Sequence, residues 1–134
     1  MSTKSLAAAA ACAVLAALLP SATAAAEPPP GIAPVHALFV LSVSDRQGNL
    51  DAALLECAPD GGTHPDAGGT CAALSQVNGD FSRLPGNPGQ LCTMEYAPVT
   101  ATAHGIWGYR FVQFRHTYGN RCQLEAATGV VFKL

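Results

Sequence analysis

Charge is scarce in this sequence: Asp, Glu, Lys and Arg together make up 12% of it. Seven Lys/Arg stand against nine Asp/Glu, and neither sign forms a run. A basic face for nucleic acid or an anionic membrane is excluded on that ground. Metal-ligand spacings are missing as well. No CxxC occurs, and His36, His64, His104 and His116 are scattered, none in an HExxH frame. No metal or other cofactor is expected, and the histidines read as surface or packing residues. Ser42, Ser44, Ser75 and Ser82 lack a GxSxG setting, so a serine hydrolase has no nucleophile elbow. The pairs Asp45/Asp51 and Asp60/Asp66 fall in turn-like sequence, where Asp is expected for its local hydrogen bonds. No catalytic set remains. The chain reads as a binder and not as an enzyme.

Long apolar runs are confined to one place. Lys4 precedes an unbroken apolar stretch from Leu6 to Leu19, and Pro20-Ser21 breaks it ahead of small residues through Ala26. A short apolar run with a positive start and a small-residue end is the pattern of a cleaved secretory leader. Residues 1–26 are therefore expected to be a signal peptide and the protein to be secreted. Residues 27–34, with Pro28-Pro29-Pro30, read as an extended arm. Residues 35–134 are long enough for one domain with a modest core.

Cys12 drops out with the leader, leaving Cys57, Cys71, Cys92 and Cys122. An even count in a small exported domain points to disulfides, with three connectivities open. Sequential pairing would close loops that stabilise by roughly 3–4 kcal/mol each on the chain-entropy model, a large share of a domain's typical ~5–15 kcal/mol.

Ala37–Val43 reads as a strand whose apolar residues run on without alternating, which implies cover on both faces. Either it is central within one subunit, or it has helices on one side and a partner subunit on the other. Ser44–Asn49 is a turn cluster, and Ala52–Cys57 a second strand. A helix follows Ala58–Gly62. Thr63 with Asp66 resembles a capping box, Pro65 sits in the first turn, and Ala67, Cys71 and Leu74 share a face. Asn78-Gly79 ends it. Phe81 and Leu84 are expected to anchor the next loop. Val99–Ala103 reads as a strand, His104-Gly105 as a turn, and Ile106–Tyr118 as an aromatic strand. Asn120 with Gln123 caps a short helix ending near Thr128-Gly129. Val130–Phe132 is a last strand. The class is α+β: an antiparallel sheet of about five strands with two short helices.

Between these elements lies Leu91-Cys92-Thr93-Met94-Glu95-Tyr96, after a soft lead-in, Pro85–Gln90, and before Ala97-Pro98. A loop held in the shape a protease groove accepts loses little entropy on binding. With cysteine two residues before Met94, both ends of a cut Met94–Glu95 bond would stay tethered, and religation would compete with hydrolysis.

The segments LECAPDGGTHPDAGGTCAAL, LCTMEYAP, GIWGYR and NRCQ…VVF are together similar to the Streptomyces subtilisin inhibitor family. The resemblance spans about Val35 to Leu134. It implies disulfides Cys57–Cys71 and Cys92–Cys122. It implies Met94 as P1, Glu95 as P1′, and Leu91, Cys92 and Thr93 as P4, P3 and P2, with Tyr96 also facing the protease. It further implies a homodimer joined sheet to sheet, and a subtilisin-like serine protease as partner, chymotrypsin-like ones secondarily. An acid-floored trypsin pocket does not suit Met94. Two positions depart from the family pattern. Thr93 replaces a common proline, which loosens the loop by up to about 1 kcal/mol, and Glu95 puts charge where an apolar residue is common. The disulfide at Cys122 brings Asn120 beside the loop, where its amide is expected to bond a carbonyl near Met94. The alternative function is a secreted structural or interaction module on the same scaffold without inhibition.

Overall fold

A computed structural model describes residues 34–134. The leader and nearly all of the proline-rich arm lie outside the described residues.

The sheet has five strands, all antiparallel: β1 (Ala37–Asp45), β2 (Leu50–Cys57), β3 (Gly61–Gly62), β4 (Val99–Trp107) and β5 (Arg110–Tyr118), in the order β3-β2-β1-β4-β5. Two helices, α1 (Ala67–Gln76) and α2 (Arg121–Thr128), complete the α+β fold with a 3-10 turn at Phe81–Arg83.

Strand β1 is the central strand, and its run-on apolar sequence resolves into two faces. Ala37, Phe39, Leu41 and Val43 point into the core, as period-2 alternation requires. Leu38 and Val40 point the other way and are 44% and 53% exposed. By register, Leu38 is level with Ile106 and Ile106 with Phe111, while Val40 is level with Leu54. An apolar stripe therefore crosses the outer face of the sheet. On the inner face, Phe81 packs against Phe39, Phe114 and Phe132 with ring centroids 5.1, 5.7 and 6.0 Å away. This buried Phe81, with Leu84 packed beside it, fixes the start of the long loop.

Four local readings are corrected. Strand β4 continues through His104-Gly105, and the chain turns instead at Gly108-Tyr109. Gly105 marks a close approach: a Cβ there would lie 2.0 Å from the Leu38 carbonyl oxygen. Thr63 does not cap α1; its hydroxyl accepts the Leu54 N–H at 2.8 Å. Asp66 is the cap, accepting from Gly69 N–H at 2.9 Å, and Pro65 therefore precedes the helix. Val130–Phe132 is not a strand; Val131 and Phe132 are buried in the core as turn residues. The fifth strand is instead the Gly61–Gly62 pair.

The Cys57–Cys71 disulfide ties α1 to the end of β2, with both cysteines buried. Beside it, His64 is also buried. Its Nδ1 accepts from Asp66 N–H and its Nε2 lies against the Val131 carbonyl, each at 3.0 Å. The ring links the α1 cap to the C-terminal turn.

Candidate functional site: a pinned, exposed loop

Residues 84–98 form no strand or helix beyond a turn at Pro88-Gly89. They run from the Phe81 anchor to β4, passing along α2. The lead-in lies close against that helix. Asn87 N–H donates to the Ala126 carbonyl at 2.7 Å, and Gly86, at φ 59°, sits where a Cβ would meet that same carbonyl oxygen at 2.2 Å. Only glycine permits both the left-handed backbone and this approach.

The loop then lifts away. Leu91, Met94 and Tyr96 are large apolar side chains left in solvent, Met94 at 89% exposure. Leaving such groups wet forgoes about 1.5–3 kcal/mol of burial each, so their exposure needs a reason outside packing.

The backbone beneath them is held. Cys92 is bonded to Cys122 with a Cα–Cα distance of 5.6 Å. Asn120, buried at 7% exposure, divides its side chain between two tasks. Its Oδ1 accepts the Gln123 N–H at 2.9 Å and caps α2. Its Nδ2 donates to the Thr93 carbonyl at 3.1 Å and to the Glu95 carbonyl at 2.8 Å. These are the carbonyls either side of Met94. Further on, Ala97 N–H donates to the Gly119 carbonyl at 2.9 Å. Thr93 and Glu95 themselves have exposed side chains.

The turn between β1 and β2 faces the loop across a cavity of about 510 Å³, lined among others by Arg46, Thr93, Tyr96, Asn120 and Arg121. Arg121 pairs with Asp51 at 2.5 Å. Both are substantially exposed, so this pair is worth about 0–1 kcal/mol. Asp45 anchors the turn. The Asn49 side-chain amide, together with backbone N–H groups, holds its carboxyl below the ordinary value.

Sequence reasoning brought Leu91 to Tyr96, Cys122 and Asn120 together, and all lie in this one region. It missed Arg46 and Gly119. Only the turn chemistry of Asp45–Asn49 hinted that the first hairpin is ordered, and nothing in it says that the hairpin reaches the loop.

Among the described residues, one group of potential metal ligands has its atoms within 4.8 Å of one another: Cys57, Asp60 and Cys71. Two of these are the sulfurs of a disulfide and have no thiolate to offer. No helix among the described residues is long and apolar enough to cross a membrane.

The family described as subtilisin inhibitor-like matches residues 36–120. Protease inhibitor SIL-V2 of Streptomyces orinoci is 46% identical over 60% of this chain and 76% of its own. Protease inhibitor SIL-V5 of Streptomyces luteoverticillatus is 44% identical over 61% of this chain and 78% of its own. Among solved structures, that of Streptomyces caespitosus sermetstatin in complex with Bacillus licheniformis subtilisin is similar, with TM-score 0.59 and 30% identity over 76% of this chain and 100% of the matched one. With its sheet, both disulfides and the sequence matched over most of the described domain, the chain belongs to the subtilisin inhibitor-like family.

Proposed function

We propose that this protein is a secreted, substrate-like inhibitor of subtilisin-like serine proteases, and secondarily of chymotrypsin-like ones, with Met94–Glu95 as the reactive bond. The observation that carries this reading is the contrast at Met94. Its side chain is 89% exposed, while the carbonyls on either side are bonded to one buried amide. Such a segment offers a side chain to an S1 pocket with its backbone already ordered, so binding costs little conformational entropy. Relatives named as protease inhibitors, and a structural neighbour solved with subtilisin, support it.

The chemistry follows from the tethers. The protease serine oxygen bonds to the Met94 carbonyl carbon as the Met94–Glu95 amide breaks, and the protease histidine passes the serine's proton to the Glu95 nitrogen. That new amine stays attached through Tyr96 and Ala97 to β4, and the acyl half through Cys92 to α2. The amine therefore remains at high effective concentration and competes with water for the ester. Leu91, Cys92 and Thr93 fill the P4 to P2 positions and Tyr96 the P2′ position.

Residues 1–26 act in this reading as a signal peptide, 27–34 as an arm and 35–134 as the inhibitor domain. The exposed stripe of Leu38, Val40, Ile106 and Phe111 supports a homodimer joined by the outer sheet faces, since monomers seldom leave such a row uncovered. Sedimentation at micromolar concentration should give twice the monomer mass.

The decisive experiment is incubation with stoichiometric subtilisin at mildly acid pH, followed by mass spectrometry. A single slow nick after Met94 alongside inhibition is expected. Met94→Lys should then move inhibition from subtilisin to trypsin, whose acidic pocket takes Lys. Unchanged target profiles would show that Met94 is not P1. Complete lack of inhibition by the wild-type protein would leave a binding module without inhibitory activity.

A further inference from the structure

On the side of the loop beyond Glu95 there is no disulfide. Tyr96 is 70% exposed, yet its ring has a neighbour fifty residues earlier in sequence. The Arg46 guanidinium carbon lies 5.4 Å from the ring centroid, and Nη2 is 3.5 Å from the phenol oxygen. A guanidinium over an aromatic face is attracted by the negative face of the ring, and its flat shape suits the contact better than an ammonium does. Among the described residues, neither ion pair involves Arg46.

Arg46 is also presented from a stiff base. The Asp45 carboxylate accepts from Gln47 N–H and Asn49 N–H at 2.9 Å, and from the Asn49 amide at 2.7 Å. The Asp45 N–H closes the turn on the Asn49 carbonyl at 3.1 Å. Four hydrogen bonds across five residues leave this turn few alternatives, so the arginine stem starts from a defined place.

We propose that Arg46 is a positioning residue for the leaving-group side of the reactive segment. By holding the Tyr96 ring, it keeps the Glu95 amine, one residue before Tyr96 in the chain, aligned for religation after the Met94–Glu95 bond is cut. This rests on Met94–Glu95 being the reactive bond. The first hairpin then serves as a second support for the loop, beside a cavity that it lines together with the loop and the start of α2.

The test is a double-mutant cycle of Arg46→Ala and Tyr96→Ala, read as subtilisin affinity and as the rate of cutting after Met94. Arg46→Ala alone should weaken binding and speed cutting by about two- to fivefold, the size of an exposed cation–ring contact, with the melting temperature unchanged. Arg46→Lys should recover only part of the loss. In the Tyr96→Ala background, Arg46→Ala should do nothing further. Without protease, Arg46→Ala should shift the Tyr96 ring resonances. An undiminished Arg46 effect in the Tyr96→Ala background overturns the proposal. So does an effect that disappears at high salt while the cutting rate stays constant, which would mark a direct charge contact with the protease. So do unmoved Tyr96 resonances. A wild-type protein that is not nicked after Met94 overturns the reactive-bond reading along with this one; a wild-type nick there with additive mutants overturns this one alone.

Discussion

The two disulfides are alike in geometry and differ in what they join. Cys57–Cys71 closes 14 residues between a strand and a helix that already pack together, with both sulfurs in the core. Cys92–Cys122 closes 30 residues between an exposed loop and the first turn of α2. Chain entropy assigns both roughly 3–4 kcal/mol. That similarity conceals a division of labour. The first acts on the equilibrium between folded and unfolded chain. The second also removes freedom that the folded protein would otherwise keep, because few other contacts hold residues 91–96. A cross-link of equal worth to stability can thus be unequal in function.

The sharpest way to break this comparison is to remove each bridge in turn. Cys92→Ala/Cys122→Ala should weaken subtilisin binding by about a hundredfold if some 3 kcal/mol of loop ordering must then be supplied on binding, and should turn the inhibitor into a substrate. Cys57→Ala/Cys71→Ala should lose a similar amount of unfolding free energy in a urea titration. Below its melting temperature it should still inhibit with nearly wild-type affinity. Equal losses of inhibition in the two variants would erase the distinction.

A smaller effect separates the two jobs of Asn120. Asn120→Ala removes the α2 cap and both carbonyl bonds, and should cost about 1–2 kcal/mol of stability and raise the cutting rate about tenfold. Asn120→Asp keeps the cap but has no N–H for the carbonyls, so it should retain most of the stability while cutting still rises. A cutting rate that follows stability in both variants would mean that the carbonyl bonds do not matter.

The smallest effect lies in the first hairpin. Asn49 and the turn N–H groups hold Asp45 below its ordinary value, so the folded protein binds that proton less readily than the unfolded chain does. The contribution is therefore present in full above the ordinary carboxylate range, and fades as pH falls through the lower folded value. Asp45→Asn should flatten a slight part of the acid limb of stability below about pH 4. An unchanged acid limb would remove Asp45 from the account.

The element pattern was largely legible because apolar runs, turn residues and caps are local. Ala37–Val43 forms a strand as its composition implies, though its run-on apolar sequence hid that only Ala37, Phe39, Leu41 and Val43 face the core, and Asn120 with Gln123 begins α2 as its spacing implies. What failed was non-local. Gly105 has the look of a turn in sequence, but its missing side chain answers to Leu38 and Phe39 on the neighbouring strand. Thr63 has the look of a cap, but its hydroxyl serves Leu54 across a strand pair. Val131 and Phe132 have strand propensity, yet the core takes them as a plug from a turn. The loop itself stood out through its cysteine and the motifs around it. Arg46 carried no local sign, because its partner is fifty residues distant.

Around Met94 the loop's hydrogen bonds to the scaffold run through main-chain atoms: the carbonyls of Thr93 and Glu95 and, further on, the N–H of Ala97. Side chains 93 to 95 take no part in them. Mutation can therefore rewrite those three positions without disturbing what keeps the loop in place. In evolutionary terms the protein keeps its grip and its target in separate sets of atoms, and a lineage under pressure from new proteases can change the second at almost no expense to the first.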